Sequence, residues 1–202
     1  LCQPTDRVML RRGAVAQAGQ LRKDEPHPVA ALAASRQFLN RLLVDAFLRT
    51  NDAAYRTQMD NWFEGVKEKN GGSFNNEFYD DMEWNALAML RAYDATGDVK
   101  FKTAVEQVWA DIKSGWNTTM GGGIAWRKSM PYYKNTPANA PAAILSARLY
   151  QRFNNAADLD WSKKIYTWLK DSLYNKSTGW VYDGMNSDND GKRNTSWKFT
   201  YN

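Results

Sequence analysis

One cysteine, Cys2, and one histidine, His27, are all the thiol and imidazole chemistry this 202-residue chain carries. A lone cysteine excludes an internal disulfide framework and any cysteine-based zinc site. A lone histidine excludes His-rich metal centres and makes a Ser-His-Asp triad a poor fit. Long apolar runs are also missing, and none reaches the roughly 20 residues that cross a bilayer. Charge of one sign is not concentrated either. The net +5 comes partly from Arg7, Arg11, Arg12, Arg22 and Lys23, and beyond residue 28 the two signs interleave without a basic stripe. Nucleic acid is therefore not an expected partner, and neither a metal nor another cofactor is expected.

Aromatic residues, in contrast, are plentiful: nine Trp, ten Tyr and eight Phe. Some must fill the core, but a surplus of Trp and Tyr also suits surfaces that stack on flat apolar faces, including those of sugars. Residues 1–28 show no sustained apolar period and are expected to be a disordered or foreign leader, with one globular domain over 29–202. Phe38 to Leu48 reads as a helix apolar nearly all round, which predicts burial on several sides. After the turn Thr50-Asn51-Asp52, residues Tyr55, Met59, Trp62, Phe63 and Val66 make a one-sided helical stripe. The pair recurs as Ala86–Leu90, then Ala95-Thr96-Gly97-Asp98, then Phe101 to Ile112. It recurs again as Ala142–Tyr150, then Asn154-Asn155, then Trp161 to Leu173. A period near 47 residues relates Trp62 to Trp109.

A buried helix alternating with an amphipathic one is what two concentric layers of helical hairpins require, either an open solenoid or a closed ring. Connections within a hairpin are short. Those between hairpins are long, and they gather at one end, where loops on a rigid scaffold tend to carry function. At that end sits Asp80-Asp81, at the start of an inner helix. Their Cα atoms are about 3.8 Å apart, so both carboxyls can be aimed into one small volume. Two acids this close cannot both ionise cheaply, which pushes their pKa values apart. Glycosidic cleavage needs such a split, one acid charged and one protonated. The plain alternative is a helix cap with a first-turn acid. Spacing alone leaves retaining and inverting geometries open, and Glu83 reads as a rival carboxylate or as a helix-start acid.

The second long loop carries Gly121-Gly122-Gly123, where backbone can approach a ligand closely. It also carries Trp126, able to stack on a sugar ring or fill the core, and Asn135 and Asn139, able to bond hydroxyls or cap a helix. The third loop has Asn186-Ser187-Asp188-Asn189-Asp190-Gly191, which matches the first six positions of a calcium loop. The twelfth position is Trp197 where a bidentate Glu belongs, and an Asx/Gly turn is the plain alternative.

Four motifs in order, Phe78-Tyr79-Asp80-Asp81-Met82-Glu83-Trp84, Gly121 to Trp126, Lys134-Asn135-Thr136-Pro137-Ala138-Asn139-Ala140 and Phe199-Thr200-Tyr201-Asn202, resemble glycoside hydrolase family 76. The resemblance implies an all-α fold, an (α/α)6 toroid of which this chain is an incomplete part, and an endo-α-1,6-mannanase acting by retention. It implies Asp80 as nucleophile, Asp81 as general acid/base, and Trp126, Asn135, Asn139 and Tyr201 as substrate-binding positions. It further implies an α-mannan partner, a monomer when full length, and an extracytoplasmic setting: secreted, periplasmic or as a surface lipoprotein. Transglycosylation and non-catalytic glycan binding are the alternatives. Three helix pairs where a closed ring has six predict that this span alone exposes apolar helix sides and is unstable or aggregates.

Overall fold

The structure, a computed structural model, describes residues 40–195. The leader, Phe38, Leu39, Trp197 and Tyr201 lie outside the described residues. Helix α1 covers residues 40–50, and the others are α2 (Ala53–Lys69), α3 (Tyr79–Thr96), α4 (Val99–Ser114), α5 (Thr136–Phe153) and α6 (Ala156–Ser172). They form three hairpins, α1–α2, α3–α4 and α5–α6. Helix α3 packs on both α4 and α5, and α5 on α6.

The hairpin turns repeat one chemistry. Asn51, Gly97 and Asn154 each take a left-handed backbone conformation, the one that Gly and Asn adopt at least cost. The next residue, Asp52, Asp98 or Asn155, then caps the outer helix by accepting from the backbone N–H of Ala54, Lys100 or Ala157. Thr50 and Thr96 add a second copy, each bonding a carbonyl one turn back and accepting from the cap residue's amide. A tight reversal with a pre-satisfied helix start follows directly from these triplets.

Helix α3 is buried along nearly its whole length from Met82 to Ala92, whereas α4 buries one stripe, Phe101, Ala104, Val105, Val108, Trp109 and Ile112. That is the predicted alternation of inner and outer helices. Helix α1 departs from it. Val44 is buried, but Leu42 and Leu48 are 64% and 61% exposed. The helix lies along α3, through Asn40 Nδ2 donating to the Ala88 carbonyl and the Arg91–Asp45 ion pair. Its far side is not covered by the described elements.

At the end opposite the tight turns, three loops form one layer. Residues 70–78 join the second loop, 115–135, where the Lys128 and Ser129 amides donate to the Glu77 carbonyl and Oε1, both at 2.9 Å. The second loop joins the third, 173–195, through a short antiparallel pair, β1 (Lys134–Asn135) with β2 (Gly184–Met185). Periodicity did not foreshadow this small sheet. Gly184 is required there, because a Cβ would lie 2.6 Å from the Lys134 carbonyl oxygen.

Candidate active site

Helix α3 begins one residue before Asp80, so both aspartates lie in its first turn. Neither acts as the cap: the cap residue is Phe78, which has no side-chain cap bond. Instead the Tyr79 amide donates to the Trp126 carbonyl at 3.0 Å, fastening the second loop across the helix start. Asp80 Oδ1 accepts from the Asp81 amide at 3.0 Å, and Asp80 Oδ2 from the indole Nε1 of Trp126 at 3.2 Å. The bland reading of the pair as a helix cap thus gives way to a carboxylate held at both oxygens.

Burial pushes both acids up. Asp80 is raised to about 6 against the opposing pull of its own hydrogen bonds. Asp81 is raised to about 7 by burial and then by the charge of Asp80. Between those values the favoured state is an ionised Asp80 beside a protonated Asp81.

Trp126 is wedged rather than open. Its ring meets Phe78 at 5.4 Å and the edge of Tyr133 at 5.7 Å, with the Arg127 guanidinium 5.0 Å from its centroid. Tyr133 donates from its hydroxyl to Asp183 Oδ2 at 2.6 Å, tying this wall to the third loop. No local pattern singles out Asp183; its burial here, opposite Tyr133, depends on a contact between residues 50 positions apart.

Of the roles open to Asn135, the structure shows the cap: its Oδ1 accepts from the Ala138 amide at 3.1 Å. Asn139 is wholly buried. Its Oδ1 accepts from the Ile124 amide at 2.8 Å, and its Nδ2 donates to the carbonyls of Ile124 and Asn135. It therefore pins the strand of backbone that leads into Trp126. Lys134, equally buried, donates from Nζ to the Gly123 carbonyl at 2.8 Å, and burial lowers its pKa to about 7.

Two glycines of the triplet, Gly122 and Gly123, serve the protein itself. A Cβ on Gly122 would lie 2.7 Å from Trp116, and one on Gly123 would lie 2.8 Å from the Trp168 ring. The close approach anticipated for a ligand is made to tryptophan. In the third loop, Asn186 Oδ1 accepts from the Gly191 amide at 2.7 Å, and its Nδ2 donates to the Tyr132 carbonyl. These bonds close the segment into a hydrogen-bonded turn. Among the described residues no group of three His, Cys, Asp or Glu side chains is placed to hold a metal ion.

The sequence model of glycosyl hydrolase family 76 matches residues 29–202. Among solved structures, the Lin0763 protein from Listeria innocua is 42% identical with a TM-score of 0.78, covering 83% of this chain and 48% of that one. The GH76A α-1,6-mannanase from Salegentibacter sp. HEL1_6 is 39% identical with a TM-score of 0.76, covering 80% and 48%. An inactive variant of that enzyme, with two consecutive aspartates changed to asparagine, has been solved with α-1,6-mannotriose. The mannan endo-1,6-α-mannosidase DCW1 of Saccharomyces cerevisiae is 34% identical over 88 residues, 41% of this chain and 20% of its own length. The chain spans about half the length of the solved structures it matches. Its hairpins are those of part of an α/α toroid, as in these neighbours.

Proposed function

This chain belongs to glycosyl hydrolase family 76, and from that premise we propose that it supplies the acid pair of an endo-acting glycosidase that cleaves α-1,6-linked mannan with retention. The observation that carries the reading is the pair itself: adjacent carboxyls at the looped end of an inner helix, raised to about 6 and about 7. The inactive consecutive-aspartate variant of the Salegentibacter relative, bound to an α-1,6-mannotriose, supports the substrate class.

In this mechanism the Asp80 carboxylate attacks the anomeric carbon while Asp81 gives its proton to the departing glycosidic oxygen. The bond to the leaving sugar breaks and an ester to Asp80 forms. Asp80 loses its charge on becoming an ester, and the charge that helped hold the proton on Asp81 is gone. Asp81, now a carboxylate, can take a proton from water, which attacks the same carbon and releases Asp80. The Trp126 N–H favours the charged nucleophile. Asn139 and Asn135 act through the loop and helix they hold, and Tyr201 remains a proposed sugar contact. A polymer substrate of this kind supports an extracytoplasmic setting for the reaction.

Incubating the intact protein with α-1,6-mannan tests the proposal. Shortened oligosaccharides that first appear as the α anomer are expected, with a loss of at least about a thousandfold in Asp80→Ala. Mannan left unshortened, or an Asp80→Ala variant of full activity, would sink it.

A further inference from the structure

Glu83 is a buried acid on the same helix as the pair, and the mechanism leaves it unused. It lies one turn after Asp80 on α3, at the spacing that brings two side chains onto the same helix face. Its relative exposure is 0%, and no hydrogen bond of good geometry reaches either carboxyl oxygen, the Ala142 amide being the one donor near enough to act on it. A charged carboxylate without partners in such a place is costly, commonly enough so that the group keeps its proton instead.

Among the described residues the surroundings offer no compensating charge. The residues that α4 buries are Phe101, Ala104, Val105, Val108, Trp109 and Ile112, none titratable. The face that α5 buries runs through Ala138, Asn139, Ala142, Leu145 and Ser146, again without a titratable group. Among the described residues α1 buries only Asn40 and Val44. Lys134, the buried cation among the described residues, donates to the Gly123 carbonyl. The charge that does face Glu83 is Asp80, and it acts with burial to hold the Glu83 proton on, opposed only by the Ala142 amide.

We propose that Glu83 is a positioning residue for the nucleophile: a carboxyl that keeps its proton while Asp80 is charged, and whose loss of that proton sets the upper pH limit for attack by Asp80. The inference rests on the reading of Asp80 as nucleophile. The step it adds is a simple proton loss to solvent, which places a second negative charge in the same buried pocket as Asp80. Like charges in a medium of low dielectric repel strongly, so Asp80 is displaced or takes up a proton, and attack stops.

In ordinary turnover this limit is not separable, because loss of the Asp81 proton also ends the reaction. A donor whose leaving group needs no proton, a dinitrophenyl glycoside of α-1,6-mannobiose, unmasks it. The burst of dinitrophenolate on mixing with the intact protein reports formation of the Asp80 ester alone. The burst rate in the wild type is expected to rise through the ionisation of Asp80 and to fall again at alkaline pH. In Glu83→Gln, which cannot ionise, the fall is expected to vanish or to move up by about one pH unit or more. An unchanged upper limb in Glu83→Gln overturns the proposal.

A second measurement covers a variant that fails to fold: Glu83→Met can replace Glu83→Gln, with the same displacement expected. Infrared difference spectra of the 13C-glutamate-labelled protein should also show a protonated Glu carbonyl band at pH 8, absent from either variant. A pH 8 spectrum without that band overturns the proposal as well. Failure of the nucleophile reading is separately visible, since Asp80→Ala would then still give a burst.

Discussion

Asp80 is raised by burial yet receives two hydrogen bonds that favour its charge, and the balance between these effects decides when it can act. Removing the indole donor should tip it. In Trp126→Phe the Asp80 carboxylate loses a bond worth about 1.5–3 kcal/mol, so its pKa rises further. The acid limb of the pH–rate profile should move up from about 6 toward the limb set by Asp81 at about 7. The bell narrows, and kcat/KM at pH 6 falls by roughly tenfold. A profile with an unmoved acid limb would show that the indole bond does not tune Asp80. The same raised acids cost stability. In the unfolded chain Asp81 loses its proton near the ordinary carboxylate value, while the folded protein holds it to about 7. Folding stability therefore falls as pH rises from about 4 to about 7 and flattens above. Asp81→Asn should match the wild type at pH 4 and exceed it at pH 7.5 by on the order of 2 kcal/mol, as read by denaturant unfolding of the intact protein.

The elements that hold these residues are of two kinds, one written locally and one not. Hairpin turns belong to the first kind. Thr50-Asn51-Asp52, Thr96-Gly97-Asp98 and Asn154-Asn155 each contain the left-handed residue and the cap that the turn needs, within a few positions of each other. The 115–135 loop belongs to the second kind. Its glycines looked suited to a ligand, but Gly122 and Gly123 are spaces for Trp116 and Trp168, and the Trp168 indole donates to the Met120 carbonyl from 48 residues away. Asn139, open in the sequence to hydroxyl binding or capping, clamps Ile124 through both its side-chain oxygen and its nitrogen. Such contacts follow from how hairpins stack, which no local period encodes. Two substitutions test the clamp. Asn139→Ala leaves two buried backbone groups of Ile124 without partners and should cost about 2–4 kcal/mol of stability. Gly123→Ala, at φ +86° with the Trp168 ring 2.8 Å from the new methyl, should cost on the order of 2 kcal/mol or more. Thermal unfolding of the intact protein measures both, and a change below about 0.5 kcal/mol in either would contradict this account of the loop.

Across the whole molecule, the alternation of inner and outer helices was legible because burial on all sides and burial on one side leave different patterns in the sequence. The inner surface was less so. Asp80 and Asp81 could be located from loop lengths, whereas the isolation of Glu83 depends on the contact between α3 and α5 and had no local sign. The sides of the inner helices that the described residues leave uncovered, with Leu42, Leu48 and Ile144 at 64%, 61% and 45% exposure, carry a further expectation. Expressed by itself, the 202-residue chain should bind an apolar-surface dye and self-associate; a cooperatively folding monomer would contradict it. The central claim, that Asp80 forms a bond to the sugar, is tested most directly by mass spectrometry of the Asp81→Ala variant of the intact protein after mixing with the dinitrophenyl mannobioside. With no base to release it, the glycosyl ester should accumulate, and fragmentation should place the added mannobiosyl mass on Asp80. An adduct on any other residue, or none while dinitrophenolate is still released, would contradict the account.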